Sequence, residues 1–276
     1  MKPDSPLDDV GRAHLVDPDD HSFTIARRTP ARDLTDLARR FWIPVWSVPA
    51  GLEAPQHVLQ YPVCLIVVAA HYARFYGVAS GLSTTTLVGS GWGVGLMLQP
   101  AAGHLLTGRP VSDLTDRFED LGDAVPGGES LTRAVRAAMA PAPHDPAAQE
   151  TAAHAVEDLV RTHLPVDAEG LLVNRVVARA EGDPGITRVA HLCEAYDLSE
   201  RSLQRLTRRR VGLTPKWLIQ RRRLQEASEQ LRDPELSATA IAADLGYADQ
   251  AHFTRDFRRV TGLTPGAFAA RFRARG

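Results

Sequence analysis

Residues 198–219 read LSERSLQRLTRRRVGLTPKWLI, and residues 248–269 read ADQAHFTRDFRRVTGLTPGAFA. The two stretches align without a gap at an offset of 50 residues. Leu203, Arg205, Arg208, Arg209 and residues 212–215 of the first match Phe253, Arg255, Arg258, Arg259 and residues 262–265 of the second. Self-similarity at a fixed spacing has to be absorbed before any local assignment is made. Each copy reads as two short helices around a tight turn, the helix-turn-helix unit. Leu192-Cys193, Leu198 and Leu203 take the places of Ile241-Ala242, Tyr247 and Phe253, the apolar positions that lock one helix onto the next.

The residues around the repeat predict an all-helical C-terminal segment. Thr187 is placed to cap a helix to about residue 195, and Asp197 sits in a turn where its short side chain tolerates a left-handed backbone. Ser199 caps a helix to about residue 210, Gly212 stops it, and Thr214-Pro215 supplies the cap and first residue of a long helix over 215–232. The cycle repeats with Ser237 capping a helix to about 245, Gly246 in the turn, Asp249 capping a helix to about 261, and Gly262 and Thr264-Pro265 opening the last.

The second helix of each unit is free to offer its outer face to a DNA major groove. Arg201, Gln204 and Arg205 on one, and Gln250, Ala251, His252, Thr254 and Arg255 on the other, are the candidate base contacts. Arginine pairs with guanine and glutamine with adenine. Ser199, Arg208, Arg209, Arg221, Arg222, Arg258 and Arg259 are the candidate phosphate contacts, which position without specifying sequence. Two such units in one chain would fill successive grooves about 34 Å apart, with the 215–232 helix setting the separation. The charge is split to match. Residues 186–276 hold 17 Lys+Arg against 10 Asp+Glu, and the rest of the chain 15 against 23. One half is thereby suited to a polyanion and the other is not. A solvated helix face with local ion pairs is the bland alternative, and a frame present in two copies argues against it.

These residues resemble the AraC/XylS family of transcriptional regulators. The family signature is matched by Ile241, Ala242, Gly246, Tyr247, Phe253, Arg255, Phe257, Arg258, Gly262, Thr264 and Pro265. The first copy departs from it at Thr207, Arg210 and Asp197. The resemblance covers roughly the last third of the chain. It implies a sequence-specific regulator, usually an activator, that binds double-stranded promoter DNA and touches RNA polymerase. It also implies an N-terminal sensing or dimerisation domain, often a cupin-like barrel. Residues 56–123 are similar to the N-terminal domain of one branch of the family, with Leu98-Gln99-Pro100-Ala101 where that branch carries a Phe-Arg-Pro-Gly-like turn.

The fold class expected is therefore α+β with two domains: an N-terminal β-rich barrel or sandwich, cupin-like and carrying helices, and a C-terminal all-α domain of two helix-turn-helix units. Residues 1–35, polar and rich in Pro and Asp, are expected to be loosely ordered. Residues 36–140 form the sensor, with short apolar stretches separated by Gly and Pro and a helix over 131–140. Helices over 146–163 and 168–181 make a linker or dimerisation region spanning 141–183, ended by the Gly182-Asp183-Pro184-Gly185 turn, and 184–276 bind DNA. The expected assembly is a homodimer with a small-molecule effector. Trp42, Trp46, Tyr61, Tyr72, Arg74, Tyr76 and Trp92 are the candidate effector pocket.

His57, His71 and His104 lie among predicted strands without an H-x-H pair, so no metal is expected, and no cofactor. Residues 89–93, GSGWG, lack the strand-to-helix context of a nucleotide loop and are read as a turn between strands. No G-x-S-x-G elbow offers a hydrolase nucleophile. The two cysteines, Cys64 and Cys193, form no disulfide or zinc spacing. No secretory signal opens the chain, and the longest apolar run, 63–70, is too short to span a membrane; a cytoplasmic protein is expected. The alternative function is a DNA-modifying enzyme, or an alkylation or redox sensor, with a helix-turn-helix appendage.

Overall fold

The computed structural model describes residues 14–15 and 22–272. Period-two alternation builds its N-terminal part. In β3 (Ala38–Ser47), Phe41, Ile43 and Val45 are buried on one face, and Trp42, Pro44 and Trp46 are half-buried on the other. That strand pairs antiparallel with β2 (Phe23–Arg28) and β8 (Ser90–Leu98). With β5 (Leu65–Ala69), β6 (Ala73–Tyr76) and β9 (Phe118–Asp120) they form a six-stranded sheet ordered β2-β3-β8-β5-β6-β9. A second sheet, β1-β4-β7, joins β1 (His14–Leu15), β4 (Ala54–Leu59) and β7 (Leu82–Leu87). The expected β-rich sandwich is thus present.

Two expectations change. The loosely ordered segment 1–35 contains β2, whose Phe23 and Ile25 alternate toward the second sheet while its whole length pairs with residues 41–46; most of the remainder lies outside the described residues. The glycines of 89–93 do not all mark a turn. Gly89 makes the turn, at φ 54°. Gly91 and Gly95 are strand residues directly opposite Trp46 and Trp42. A Cβ on either would stand 2.4 or 2.3 Å from the facing indole ring. Glycine is used here to let a flat ring lie against a neighbouring strand.

Behind the large sheet pack α1 (Ala102–Thr107), α2 (Leu121–Ala124), α3 (Gly128–Met139), α4 (Pro146–Arg161) and α5 (Ala168–Gly182). Ala152, Val156 and Val160 of α4, and Val173, Val176, Val177 and Ala180 of α5, are almost wholly buried in one core with Phe41, Ile66 and Leu96. The apolar stripes proposed for a dimer interface are consumed inside the chain. Buried Glu157 fastens α4 to β2, accepting from Arg28 at 3.1 Å and from the Ala31 amide at 3.0 Å.

The C-terminal helices fall where the caps place them: α6 (Val189–Tyr196), α7 (Glu200–Arg210), α8 (Pro215–Gln230), α9 (Ala238–Asp244), α10 (Gln250–Thr261) and α11 (Pro265–Phe272). Ser199, Thr214, Ser237 and Asp249 each accept a bond from an amide of the following turn. Asp197 is left-handed at φ 49°. Thr187 does not cap α6, whose N-cap is Arg188 with no side-chain bond. Removing the Ser199 hydroxyl strips α7 of its cap, so Ser199→Ala is expected to cost about 1 kcal/mol. A denaturation midpoint unmoved by the change would contradict the assignment.

The two units are held differently. The second is built on a separate aromatic core, entered from the N-terminal part by Leu59 and Leu82, in which Tyr247, Phe253, Phe257 and Phe268 stack in series at centroid spacings of 5.3, 5.6 and 5.3 Å. The first shares its core with the N-terminal part, since Leu192, Leu203, Leu206, Val211 and Leu218 join the same cluster as Leu106, Val111 and Leu114.

Candidate nucleic-acid interface

Helical periodicity sorts the side chains of α7 and α10 into two faces. On α7, Leu203, Leu206, Thr207 and Arg210 are buried, while Arg201, Gln204, Arg205 and Arg208 are exposed. On α10, Phe253, Phe257, Val260 and Thr261 are buried, while Gln250, Ala251, His252, Arg255 and Arg258 are exposed and Thr254 is half-buried. Both helices therefore present the base-contact candidates outward. Arg201, Arg205, Arg208, Arg255 and Arg258 make no ion pair among the described residues. Gln204 is held by Glu200 at 3.0 Å and Gln250 by Thr239 at 2.9 Å, which orients both amides. His252 lies edge-on to Tyr247 at 5.3 Å and beside Asp256 at 3.5 Å, and Arg259 bonds Asp256 at 3.2 Å. Ser199 is exposed and engaged as the cap.

Arg221 and Arg222 are not phosphate contacts. Both are buried in α8, only 3% and 5% exposed. Arg221 donates to the Leu59 and Gln60 carbonyls, each at 3.0 Å, and stacks on the Tyr61 ring at 3.9 Å. Arg222 donates to Glu226 at 2.7 Å and to the Ile186 carbonyl at 3.2 Å. They join α8 to the β4–β5 connection and to the entry of α6. Arg209 is turned toward the N-terminal part, with His104 at 3.2 Å and Glu169 at 3.6 Å. Arg210 and Thr207, the departures of the first unit, are internal: Thr207 is fully buried, and Arg210 pairs with Asp167 and, at 2.8 Å, with Glu169 at the start of α5.

Arg208 remains the free phosphate candidate of α7. Arg208→Ala is expected to weaken specific and random DNA alike and to lower the salt slope by about 1. A slope equal to that of the parent chain would remove the assignment.

Between the two sheets lies a partly open cavity of about 170 Å³. Trp42, Trp46, Tyr72 and Tyr76 of the candidate effector pocket line it, together with Val58, Ser83, Thr85 and Met97. Tyr61, Arg74 and Trp92 do not. Tyr61 sits between the guanidinium groups of Arg39 and Arg221. Arg74 lies over Phe118 at 3.9 Å, and Trp92 points to the opposite face of its strand, into the main core.

The histidines are dispersed. His57 bonds Thr84 and Arg271, His104 bonds the Arg109 carbonyl, and His71 is exposed. Burial pushes the Cys64 thiol up to about 12. Burial, with Glu200 and Glu194, raises that of Cys193. Neither is poised as the thiolate that redox or alkylation sensing requires. No described helix is long and apolar enough to cross a membrane.

A helix-turn-helix domain model matches residues 192–271, and a domain of unknown function (DUF6597) matches residues 26–120. The transcriptional activator RhaS of Escherichia coli is 39% identical over 74 residues, covering 27% of each chain. The transcriptional activator RhaR of Cronobacter sakazakii is 36% identical over 75 residues, covering 27% of this chain and 26% of that one. The match thus spans about a quarter of the length of these curated relatives. Among solved structures, ToxT of Vibrio cholerae superposes over 92% of this chain and 98% of its own, at 12% identity and a TM-score of 0.39. With the repeated frame, the caps and the outward arginine faces, the domain model and the RhaR and RhaS matches make residues 192–271 a helix-turn-helix domain similar to those of these transcriptional activators.

Proposed function

We propose that the chain is a sequence-specific DNA-binding transcription regulator, an activator, that reads two successive major grooves with α7 and α10. One observation carries the reading: the same outward arginine occurs at the same register on both helices, Arg205 and Arg255, with no acidic partner among the described residues. An unneutralised cation at a helix surface is suited to a polyanion. In this reading residues 36–140 are the sensor, 141–183 the connecting helices and 184–276 the DNA-binding domain. A small-molecule effector occupies the cavity between the sheets. A cytoplasmic homodimer on promoter DNA, touching RNA polymerase and performing no catalysis, completes it.

Selection from random duplex DNA with the full chain tests the central claim. The full chain is required because the first unit shares its core with the N-terminal part. Enrichment of two short boxes about 10 base pairs apart is expected. Equal binding of all sequences would sink the proposal, and a monomer on DNA by sedimentation would remove the homodimer.

A further inference from the structure

The cavity between the sheets has a wall one strand thick, and the far side of that wall is the second helix-turn-helix unit. Along β4, Gln56 and Val58 face the cavity, while His57 and Leu59 face away. Along β7, opposite them, Ser83 and Thr85 face the cavity, and Leu82 faces away. Period-two geometry imposes this alternation. The outward residues do not meet solvent alone. Leu59, 1% exposed, belongs to the aromatic core of the second unit with Phe253, Phe257 and Phe268, and Leu82 packs against the same cluster. His57 reaches Arg271 of α11 at 3.3 Å. The strand's last carbonyls hold Arg221, and Trp217 donates to the Ser80 carbonyl at 3.1 Å just before β7.

The lining also limits what can enter. Among the described residues it contains aromatic and aliphatic side chains with Gln, Ser, Thr and Tyr, and no Asp, Glu, Lys, Arg or His. Transferring an ion into such a site without a partner is costly. An apolar cavity of about 150 Å³ stays dry and takes benzene, so about 170 Å³ suits a molecule of one or two rings.

We infer that the cavity binds a neutral, mainly apolar ligand of one or two rings, and that its occupancy is transmitted to the second helix-turn-helix unit through the β4–β7 wall. This rests on the reading of residues 36–140 as a sensor, and it deepens that reading by naming ligand class and route. A ligand that fills the cavity supports Val58 and Ser83 from inside. It thereby fixes the seat of Leu59 and Leu82 under α9, α10 and α11. Leu59 and Leu82 belong to the core of the second unit, so the effect is expected there; the first unit meets the wall only through α8, by the Arg221 and Trp217 bonds.

The test uses the full chain without DNA, so that its outcome is independent of DNA recognition. Toluene, p-cresol, indole and naphthalene are titrated beside the anionic counterparts benzoate and indole-3-carboxylate, with melting temperature and amide hydrogen exchange as readouts. At least one neutral probe is expected to raise the melting temperature and to slow exchange across residues 241–269 at least threefold, with the anions inactive. Ser83→Phe, which fills the cavity, should abolish the response; Thr85→Phe serves if that variant does not fold. Leu59→Ala should keep probe affinity within about twofold and lose the protection of 241–269. Failure of every neutral probe, or binding undiminished by the filling variants, overturns the site. Equal binding of the anions overturns the ligand class. Binding in the parent chain with exchange in 241–269 unchanged overturns the transmission and leaves the sensor reading standing.

Discussion

Replacing Arg221 with alanine is expected to destabilise the fold severely and to leave the salt dependence of DNA binding by the surviving folded protein unchanged. The side chain is wholly enclosed, with its guanidinium between the Tyr61 ring and the Leu59 and Gln60 carbonyls. Burial pushes its pKa down, opposed first by Glu181, yet arginine stays charged in proteins. Alanine leaves two buried acceptors unmet at about 1–3 kcal/mol each, so a loss of about 3–5 kcal/mol is expected once the stacking contact is included. Methionine restores volume but not the donors and should recover only part of it. The measurement pairs denaturation midpoints with binding at several salt concentrations. A stable Arg221→Ala protein whose salt slope falls by about 1 would return Arg221 to the phosphate backbone.

Arg221 also shows where sequence reading stops. The helix boundaries and turns were legible because their causes are local: Ser199 and Asp249 close onto amides three residues ahead, and Gly212, Gly246 and Gly262 take the positive φ that their turns need. The outward faces of α7 and α10 follow from helical spacing and the positions of Leu203 and Phe253. Burial of an arginine is decided by what packs on it, and that is tertiary. One signal was available: residues 218, 221, 222 and 225 follow helical spacing, so both arginines sit on the face of Leu218 rather than opposite it. Trp92 lies off the cavity for the complementary reason. Alternation separates it from Trp42 and Trp46, but which face of each strand is the cavity depends on register: Trp42 is opposite Gly95, and Trp92 opposite Val45. Arg27 and Arg28 mask the alternation of Phe23 and Ile25, which hides β2 in the sequence. The wall formed by β4 and β7 had no sequence signal, since Leu59 looks like any strand leucine until the unit on its far side is known.

The second large effect concerns recognition. Arg205→Ala and Arg255→Ala are each expected to cost about 1–3 kcal/mol on the selected site, and much less on random DNA, because a bidentate pair to a base is lost with only part of the electrostatic attraction. Both positions are exposed and free of ion pairs among the described residues. Truncation therefore leaves no buried partner unsatisfied, and stability should stay within about 0.5 kcal/mol. Each change should relax preference in one box only, Arg205 in that read by α7 and Arg255 in that read by α10. Because the two sit on separate helices, the double variant should show the sum of the single losses within about 0.5 kcal/mol. The check is repeated DNA selection with each variant, beside titration on the parent site. Equal losses on specific and random DNA would place both arginines on phosphates. A single-box change from both variants would mean that the two helices do not enter separate grooves, and the paired-groove geometry would fall with it.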